Sequence, residues 1–195
     1  MAGTVLQQLP NSLTFLRLLL AAPLGLCILR EAYVMALLVG LAAGITDALD
    51  GLLARKLQAV SRVGAILDPI ADKTLITVCF VCFAAVGLLP WYIAAIVITR
   101  DVVIVAGAIS YRLLIGPFEF AATTLSKANM FVQILFCLLV LVAQVVPEVP
   151  AWSVTAGTLL VIFFAAASGS DYVLNWTIRA LQASKRTRQT SQRPD

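Results

Sequence analysis

Long apolar stretches, separated by short polar or proline-containing breaks, follow one another along the whole chain. Several of them reach the roughly 20 residues that a helix needs to cross about 30 Å of hydrocarbon. No strand-like alternation of apolar and polar residues competes with this pattern. The pattern predicts an all-α integral membrane protein with six transmembrane helices, at residues 12–29, 33–56, 66–88, 91–114, 125–146 and 151–178.

Composition strengthens the membrane interpretation. The 195 residues are 61% hydrophobic, and the mean hydropathy is +0.98, values far outside those of a soluble domain of this size. We expect a single membrane domain over residues 1–195, with an N-terminal juxtamembrane segment at 1–11 and a basic cytoplasmic tail at 180–195.

The distribution of Lys and Arg predicts the orientation. If six helices cross the bilayer, both termini lie on one side, and most basic residues fall there, whereas the other side receives little more than Arg30. The positive-inside rule places that basic side, and both termini, in the cytoplasm. The first residues contain no cleavage site and no transit peptide, which favours a bacterial inner-membrane protein.

The net charge of +4 does not indicate a nucleic-acid partner, because the bases are spread along the chain and cluster only at the C-terminus. An anionic membrane surface is the simpler partner. Cys79 and Cys82 form a lone C-x2-C pair in a chain without histidine, so a zinc or redox site is set aside.

Five aspartates stand inside or at the ends of the apolar spans: Asp47, Asp50, Asp68, Asp72 and Asp101. Each costs at least about 2.5 kcal/mol in a bilayer unless it is paired or hydrated. One explanation is a set of internal ion pairs, with partners among Arg17, Arg55, Lys73 and Arg100. The spacing of the first four favours a functional site instead.

Asp47 and Asp50 are three residues apart, and Asp68 and Asp72 are four apart, so each pair projects from one helix face. The intervening loop turns the chain back, so the four carboxylates converge at the cytoplasmic end. They need compensating positive charge. All-oxygen ligands suit Mg²⁺ or Mn²⁺, and a shared carboxylate gives a two-metal site. A proton relay or a sodium site of a transporter also uses such carboxylates.

Small residues and a cation accompany the aspartates. Gly51, Ala54 and Gly64 let a bulky ligand approach the backbone, and Arg55 suits phosphate oxygens. This combination indicates a nucleotide diphosphate site and argues against transport.

The sequence Asp47-x2-Asp50-Gly51-x2-Ala54-Arg55-x8-Gly64-x3-Asp68-x3-Asp72 resembles the signature of the CDP-alcohol phosphatidyltransferase family, with eight fixed positions over 26 residues. The family fold has six membrane helices and is often dimeric. The resemblance implies that Asp47, Asp50, Asp68 and Asp72 hold the metals.

The same resemblance implies further roles. Gly51, Ala54 and Arg55 line the cytidine diphosphate pocket, and Asp72 is the general base that takes the proton of the acceptor hydroxyl. Upstream, Pro10-Asn11-x-Leu13-Thr14-x-x-Arg17 resembles a segment whose polar groups meet the nucleotide. Asn11 is also explained as a helix N-cap.

The acceptor is predicted from other stretches. Asp68-Pro69-x-Ala71-Asp72-Lys73 resembles the branch with glycerol-based acceptors, which contains phosphatidylglycerophosphate synthases and eukaryotic-type cardiolipin synthases. The stretches 99–102 and 125–133 look more like the latter. The former commonly have Gly-Lys-x-Lys-Thr where this chain has 126–130, and one lysine fewer fits phosphatidylglycerol, which carries less charge than glycerol 3-phosphate.

The candidate acceptor ligands are Lys73, Arg100, Lys127 and Asn129. Lys73 and Arg100 are also explained by pairing with Asp72 or Asp101, and Lys127 by anchoring a helix end. We expect transfer of a phosphatidyl group from CDP-diacylglycerol to phosphatidylglycerol, giving cardiolipin and CMP. The alternatives are phosphatidylglycerophosphate synthesis and cation or proton transport.

Overall fold

The computed structural model describes the backbone of residues 2–57, 64–114 and 124–191, and the side chains of residues 15–46, 73–107 and 124–171. Within these ranges all regular secondary structure is α-helical. Its six helices are α1 (Ala2–Leu29), α2 (Tyr33–Leu57), α3 (Gly64–Ala85), α4 (Trp91–Leu114), α5 (Thr124–Val145) and α6 (Ala151–Ser191).

The N-terminal end of the first helix and the C-terminal end of the last helix differ from the sequence prediction. α1 begins ten residues before the predicted start at residue 12, and α6 continues thirteen residues beyond the predicted end at residue 178. No charged residue interrupts the chain from Ala2 to Asn11, and the helix continues through Pro10, although proline lacks the amide hydrogen for one helical bond and crowds the preceding turn. Asn11 therefore lies inside α1, so its interpretation as a helix N-cap is wrong.

Two helix ends are closed by residues in the left-handed conformation. Glu31 (φ 56°) follows α1 and Gly87 (φ 77°) follows α3. In both turns the next amide donates to a carbonyl five residues back, Ala32 to Cys27 and Leu88 to Phe83, each at 2.9 Å. These bonds satisfy carbonyls that the helix end leaves open, and they end α3 three residues before the predicted boundary at 88.

The helices pack in a closed ring. Neighbours around it are α1, α2, α5, α6, α4 and α3, and α3 also contacts α5 across the ring. The buried core draws on all six helices and includes Leu24, Ala36, Phe80, Val97, Phe136 and Val161. The Phe80 and Phe136 rings stack with their centroids 5.9 Å apart, which joins α3 to α5.

Two glycines allow close helix contacts. A Cβ at Gly25 of α1 would lie 2.9 Å from Val78 Cγ1 of α3, and one at Gly157 of α6 would lie 2.7 Å from Phe136 Cδ2 of α5. Real Cβ atoms do not approach so closely. Small residues at such crossings are typical of helices packed in a membrane.

The outer surface of the bundle is apolar. Large side chains such as Leu26, Val34, Leu159 and Phe163 are all more than half exposed, as expected where lipid covers the protein. Among the described residues, two helical segments are long and apolar enough to cross a membrane, Thr124–Val145 and Ala151–Asp171. Shorter apolar helical stretches occupy Phe15–Leu29, Tyr33–Thr46 and Lys73–Ala85.

Candidate functional site

The residues predicted to hold metal and nucleotide belong to three helices, and their side chains lie outside the described residues. Asn11 and Thr14 are in α1; Asp47, Asp50, Gly51, Ala54 and Arg55 are in the last turns of α2; Gly64, Asp68 and Asp72 are in the first turns of α3.

The chain order limits the distance between the helix ends that carry the two aspartate pairs. α2 ends at Leu57 and α3 begins at Gly64, so the helix ends are separated by at most about 25 Å of extended chain. Because both segments are helical, the spacings of three and four residues put the members of each pair on one face. Four carboxylates form a donor set that suits a hard divalent cation.

Among the described side chains, no group of three or more His, Cys, Asp or Glu is close enough to hold a metal ion. The metal site predicted at Asp47, Asp50, Asp68 and Asp72 therefore stays a prediction, and no described cluster competes with it.

Directly after Asp72, the described part of the site begins with an ion-pair network between α3 and α4. Lys73 Nζ lies 3.1 Å from Asp101 Oδ1, and Arg100 Nη1 donates to the same oxygen at 2.6 Å. The Arg100 and Asp101 side chains are only 8% and 14% exposed, whereas Lys73 is 36% exposed. The interpretation of Lys73 and Arg100 as partners of Asp101 is thus confirmed. Two cations share one anion, so these three described side chains together carry a net charge of +1.

Arg100 also connects α4 to the last two helices. Its Nη2 donates to Ser126 Oγ of α5 at 3.1 Å and to Ser168 Oγ of α6. Ser168 is fully buried, and the sequence analysis did not identify it, because serine is common in membrane helices without a functional role. The signal available was its place in the polar run Ser168–Asp171 within an apolar span. Arg100 Nε has no hydrogen-bond partner among the described residues.

Two amides lie one turn apart on the buried face of α5. Asn129 is 0% exposed and Gln133 is 2% exposed. Neither amide atom of Asn129, nor Gln133 Nε2, has a partner among the described residues. A buried amide without a hydrogen bond is costly, so this face is suited to a polar ligand or to polar groups beyond the described side chains. Lys127, by contrast, is exposed.

An apolar cavity of about 320 Å³ lies between α1, α2, α3 and α5. Its walls include Gly40 and Gly44 of α2 and Cys137 and Leu141 of α5. Gly44 is three residues before Asp47, so the cavity lies directly beside the helix segment that carries the first aspartate pair. The four cysteines are free thiols, and Cys79, Cys82 and Cys137 are buried.

Comparison with known proteins gives one matching family. Residues 7–172 match the model of the CDP-alcohol phosphatidyltransferase family. This range contains the whole aspartate signature and the network around Arg100.

Curated relatives divide between two named activities. The chain is 33% identical over 193 residues to a cardiolipin synthase (CMP-forming)/mitochondrial hydrolase fusion protein of Schizosaccharomyces pombe, covering 91% of this chain and 32% of that protein. It is 35% identical over 153 residues to a rat cardiolipin synthase (CMP-forming), covering 70% of this chain and 51% of the relative. A probable phosphatidylglycerophosphate synthase of Mycobacterium tuberculosis is 38% identical over 100 residues, 48% of each chain. The chain thus spans about half or less of these relatives.

Proposed function

The chain belongs to the CDP-alcohol phosphatidyltransferase family, a membrane-associated family, and on this premise we propose that it makes cardiolipin. In the proposed reaction the phosphatidyl group of CDP-diacylglycerol moves to phosphatidylglycerol and CMP is released. The observation that carries the proposal is the family match over residues 7–172, which includes the complete aspartate signature. Relatives named as cardiolipin synthases align with 91% and 70% of this chain.

The chemistry is a single phosphoryl substitution. A hydroxyl oxygen of the acceptor forms a bond to the phosphorus that carries diacylglycerol, and the bond from that phosphorus to the oxygen of the CMP leaving group breaks. In our proposal the Asp72 carboxylate takes the hydroxyl proton. Arg55 stabilises the charge on the departing CMP, and Gly51, Ala54 and Gly64 leave room for the nucleotide. Asn11 and Thr14 bind the nucleotide from α1.

We propose Asp47, Asp50, Asp68 and Asp72 as ligands of two divalent ions, Mg²⁺ or Mn²⁺. The donor set supports this assignment, because four carboxylates in a membrane protein need compensating charge and carboxylate oxygens suit hard cations. Bound at this site, the ions supply positive charge to the diphosphate of the CDP-lipid.

The proposed acceptor site is centred on the network around Arg100. Lys73 follows the proposed base directly, and its ion pair with Asp101 places it beside Arg100. The choice of phosphatidylglycerol is supported by the stretch 126–130, which has one lysine fewer than phosphatidylglycerophosphate synthases commonly have, because a phosphodiester carries less charge than glycerol 3-phosphate. Lys127 and the buried amide of Asn129 complete the proposed acceptor site.

The remaining proposals concern the membrane. We propose that all six helices span a bacterial inner membrane, with the aspartates at the cytoplasmic end and both termini in the cytoplasm. The turns at 30–32, 86–90 and 146–150 contain no basic residue except Arg30, and this distribution supports the orientation. A homodimer is also expected from the family resemblance.

An acceptor assay tests the function. The protein is purified in detergent and given CDP-diacylglycerol, Mn²⁺ and labelled phosphatidylglycerol or labelled glycerol 3-phosphate. We expect labelled cardiolipin and CMP with the first acceptor alone. Label incorporated from glycerol 3-phosphate instead would establish the alternative activity. Ion flux in liposomes without CMP release from any acceptor would favour a transporter.

A substitution tests the base. Asp72→Asn should abolish turnover while CDP-diacylglycerol still binds, because an amide accepts no proton but nearly preserves the volume. Binding is measured by protection of the protein from thermal unfolding. Full activity of the variant would refute the assignment of Asp72 as the base.

A further inference from the structure

A groove of about 1000 Å³ lies between α4 and α6. Its walls are mostly apolar or small, and they include Ala95 and Val103 of α4 and Ala165, Ala166 and Gly169 of α6. Ala95, Val103 and Ala166 are exposed, so the groove opens on the outer surface of the bundle. Small residues on both helices make it deep enough to hold a hydrocarbon chain.

The length of the groove corresponds to one leaflet of a membrane. Along α4 it runs from Tyr92 to Val103, which is about 16 Å at the rise of an α-helix. One leaflet contributes about 15 Å to a hydrocarbon core of about 30 Å. The groove is therefore long enough for an acyl chain that spans one leaflet.

The groove has one charged residue in its wall. Arg100 lines it, and its Cγ lies 3.9 Å from where a Cβ of Gly169 would be. Through Asp101 this arginine is linked to Lys73, the residue after the proposed base Asp72. The opposite end is formed by Tyr92. An apolar groove that leads to a net positive charge complements a lipid with an anionic headgroup.

We propose that the α4–α6 groove binds an acyl chain of the acceptor phosphatidylglycerol and so selects a lipid acceptor over a soluble one. This inference rests on the proposed function. The reaction joins two lipids, and the donor and acceptor tails need separate places. The cavity of about 320 Å³ beside Gly44 lies among α1, α2, α3 and α5, on other helices than the groove. A soluble acceptor such as glycerol 3-phosphate requires no second apolar site.

Filling the groove tests the proposal. Ala166→Phe should raise the KM for long-chain phosphatidylglycerol about tenfold, the loss expected when roughly two methylene groups are displaced. The KM for CDP-diacylglycerol and the KM for dihexanoyl phosphatidylglycerol, whose chains are too short to follow the groove, should stay unchanged. The matched control is Ala42→Phe, since Ala42 is an exposed alanine of α2 outside the groove. Equal loss with long and short acceptors, or no loss, would overturn the proposal.

A second measurement tests whether the groove is occupied by a lipid or by another protein. Ala166→Cys is treated with an oxidant in membranes, and we expect no disulfide-linked dimer. A covalent dimer through this position would assign the groove to a second copy of the chain and overturn the proposal. If the unaltered protein makes no cardiolipin, the proposed function itself fails. If it makes cardiolipin and Ala166→Phe behaves as Ala42→Phe does, the groove assignment alone fails.

Discussion

A single carboxylate oxygen, Asp101 Oδ1, pairs with two cations, since Lys73 Nζ lies 3.1 Å and Arg100 Nη1 lies 2.6 Å from it. Asp101→Asn should lower the free energy of unfolding by about 3 kcal/mol, because breaking a buried pair leaves a charge uncompensated. Most of the loss comes from Arg100, since Lys73 is 36% exposed. In detergent this predicts a melting temperature lower by roughly 6 to 12 °C.

The control for Asp101 is Glu148→Gln. Glu148 is exposed in the turn after α5, and removal of its charge should leave the melting temperature unchanged. Equal melting temperatures for Asp101→Asn and the unaltered protein would mean that the network contributes no stability.

Ser168 contributes to the position of Arg100. Its hydroxyl accepts a hydrogen bond from Nη2 in the protein interior. Ser168→Ala should raise the KM for phosphatidylglycerol about tenfold, since losing a bond to a charged group costs roughly 1.5 kcal/mol, and leave the KM for CDP-diacylglycerol unchanged. Steady-state kinetics with each substrate varied in turn give both values.

Thr155→Ala is the matched control for Ser168, because Thr155 is an exposed hydroxyl residue of the same helix. If both substrates lose affinity equally in Ser168→Ala, the serine supports the fold and not the acceptor site.

At the level of helices, the crossing of α5 and α6 depends on the absence of a side chain at Gly157. A Cβ there would lie 2.7 Å from Phe136 Cδ2 and 3.3 Å from Leu139 Cδ2. Gly157→Ala should therefore destabilise the protein by about 1 to 3 kcal/mol through overpacking. Gly44→Ala is the control, since a Cβ at Gly44 meets no atom within 4 Å, and it should be neutral or stabilising because alanine favours the helix. Thermal unfolding in detergent compares them, and equal effects would contradict the packing argument.

The apolar pattern predicted all six helices and most of their ends. Residues 91–114 match α4 without error, because Pro90 marks the start and the apolar run ends near Arg112. The start of α1 and the end of α6 were missed. Helical structure extends N-terminally beyond Pro10 and C-terminally into the basic tail, where hydropathy gives no signal. The end of α3 depends on the left-handed conformation of Gly87, and the hydropathy pattern does not reveal this backbone conformation.

The site residues that the sequence predicts are the charged ones, because charge is costly inside a bilayer. Lys73, Arg100 and Asp101 were identified because charges in an apolar span need an explanation. Their sharing of one oxygen, and the contribution of Ser168, depend on how α3, α4 and α6 meet. Such contacts join residues far apart in sequence, and helical periodicity contains no information about them.

For the whole molecule, the order of the helices predicts which turns share a side of the membrane. In a six-span bundle the turns at 30–32, 86–90 and 146–150 lie on one side, and the connections at 58–63 and 115–123 lie on the other. Glu31→Cys and Glu148→Cys, expressed in bacterial cells, should react with a membrane-impermeant maleimide added outside, whereas Arg62→Cys and Arg188→Cys should react only after the cells are opened. The unaltered protein is the control for labelling of the four native cysteines, three of which are buried. Labelling of Arg62→Cys in intact cells would show that the topology is the reverse of the proposed one. The proposed aspartate site would then not face the cytoplasm, the side on which CDP-lipid is expected to bind.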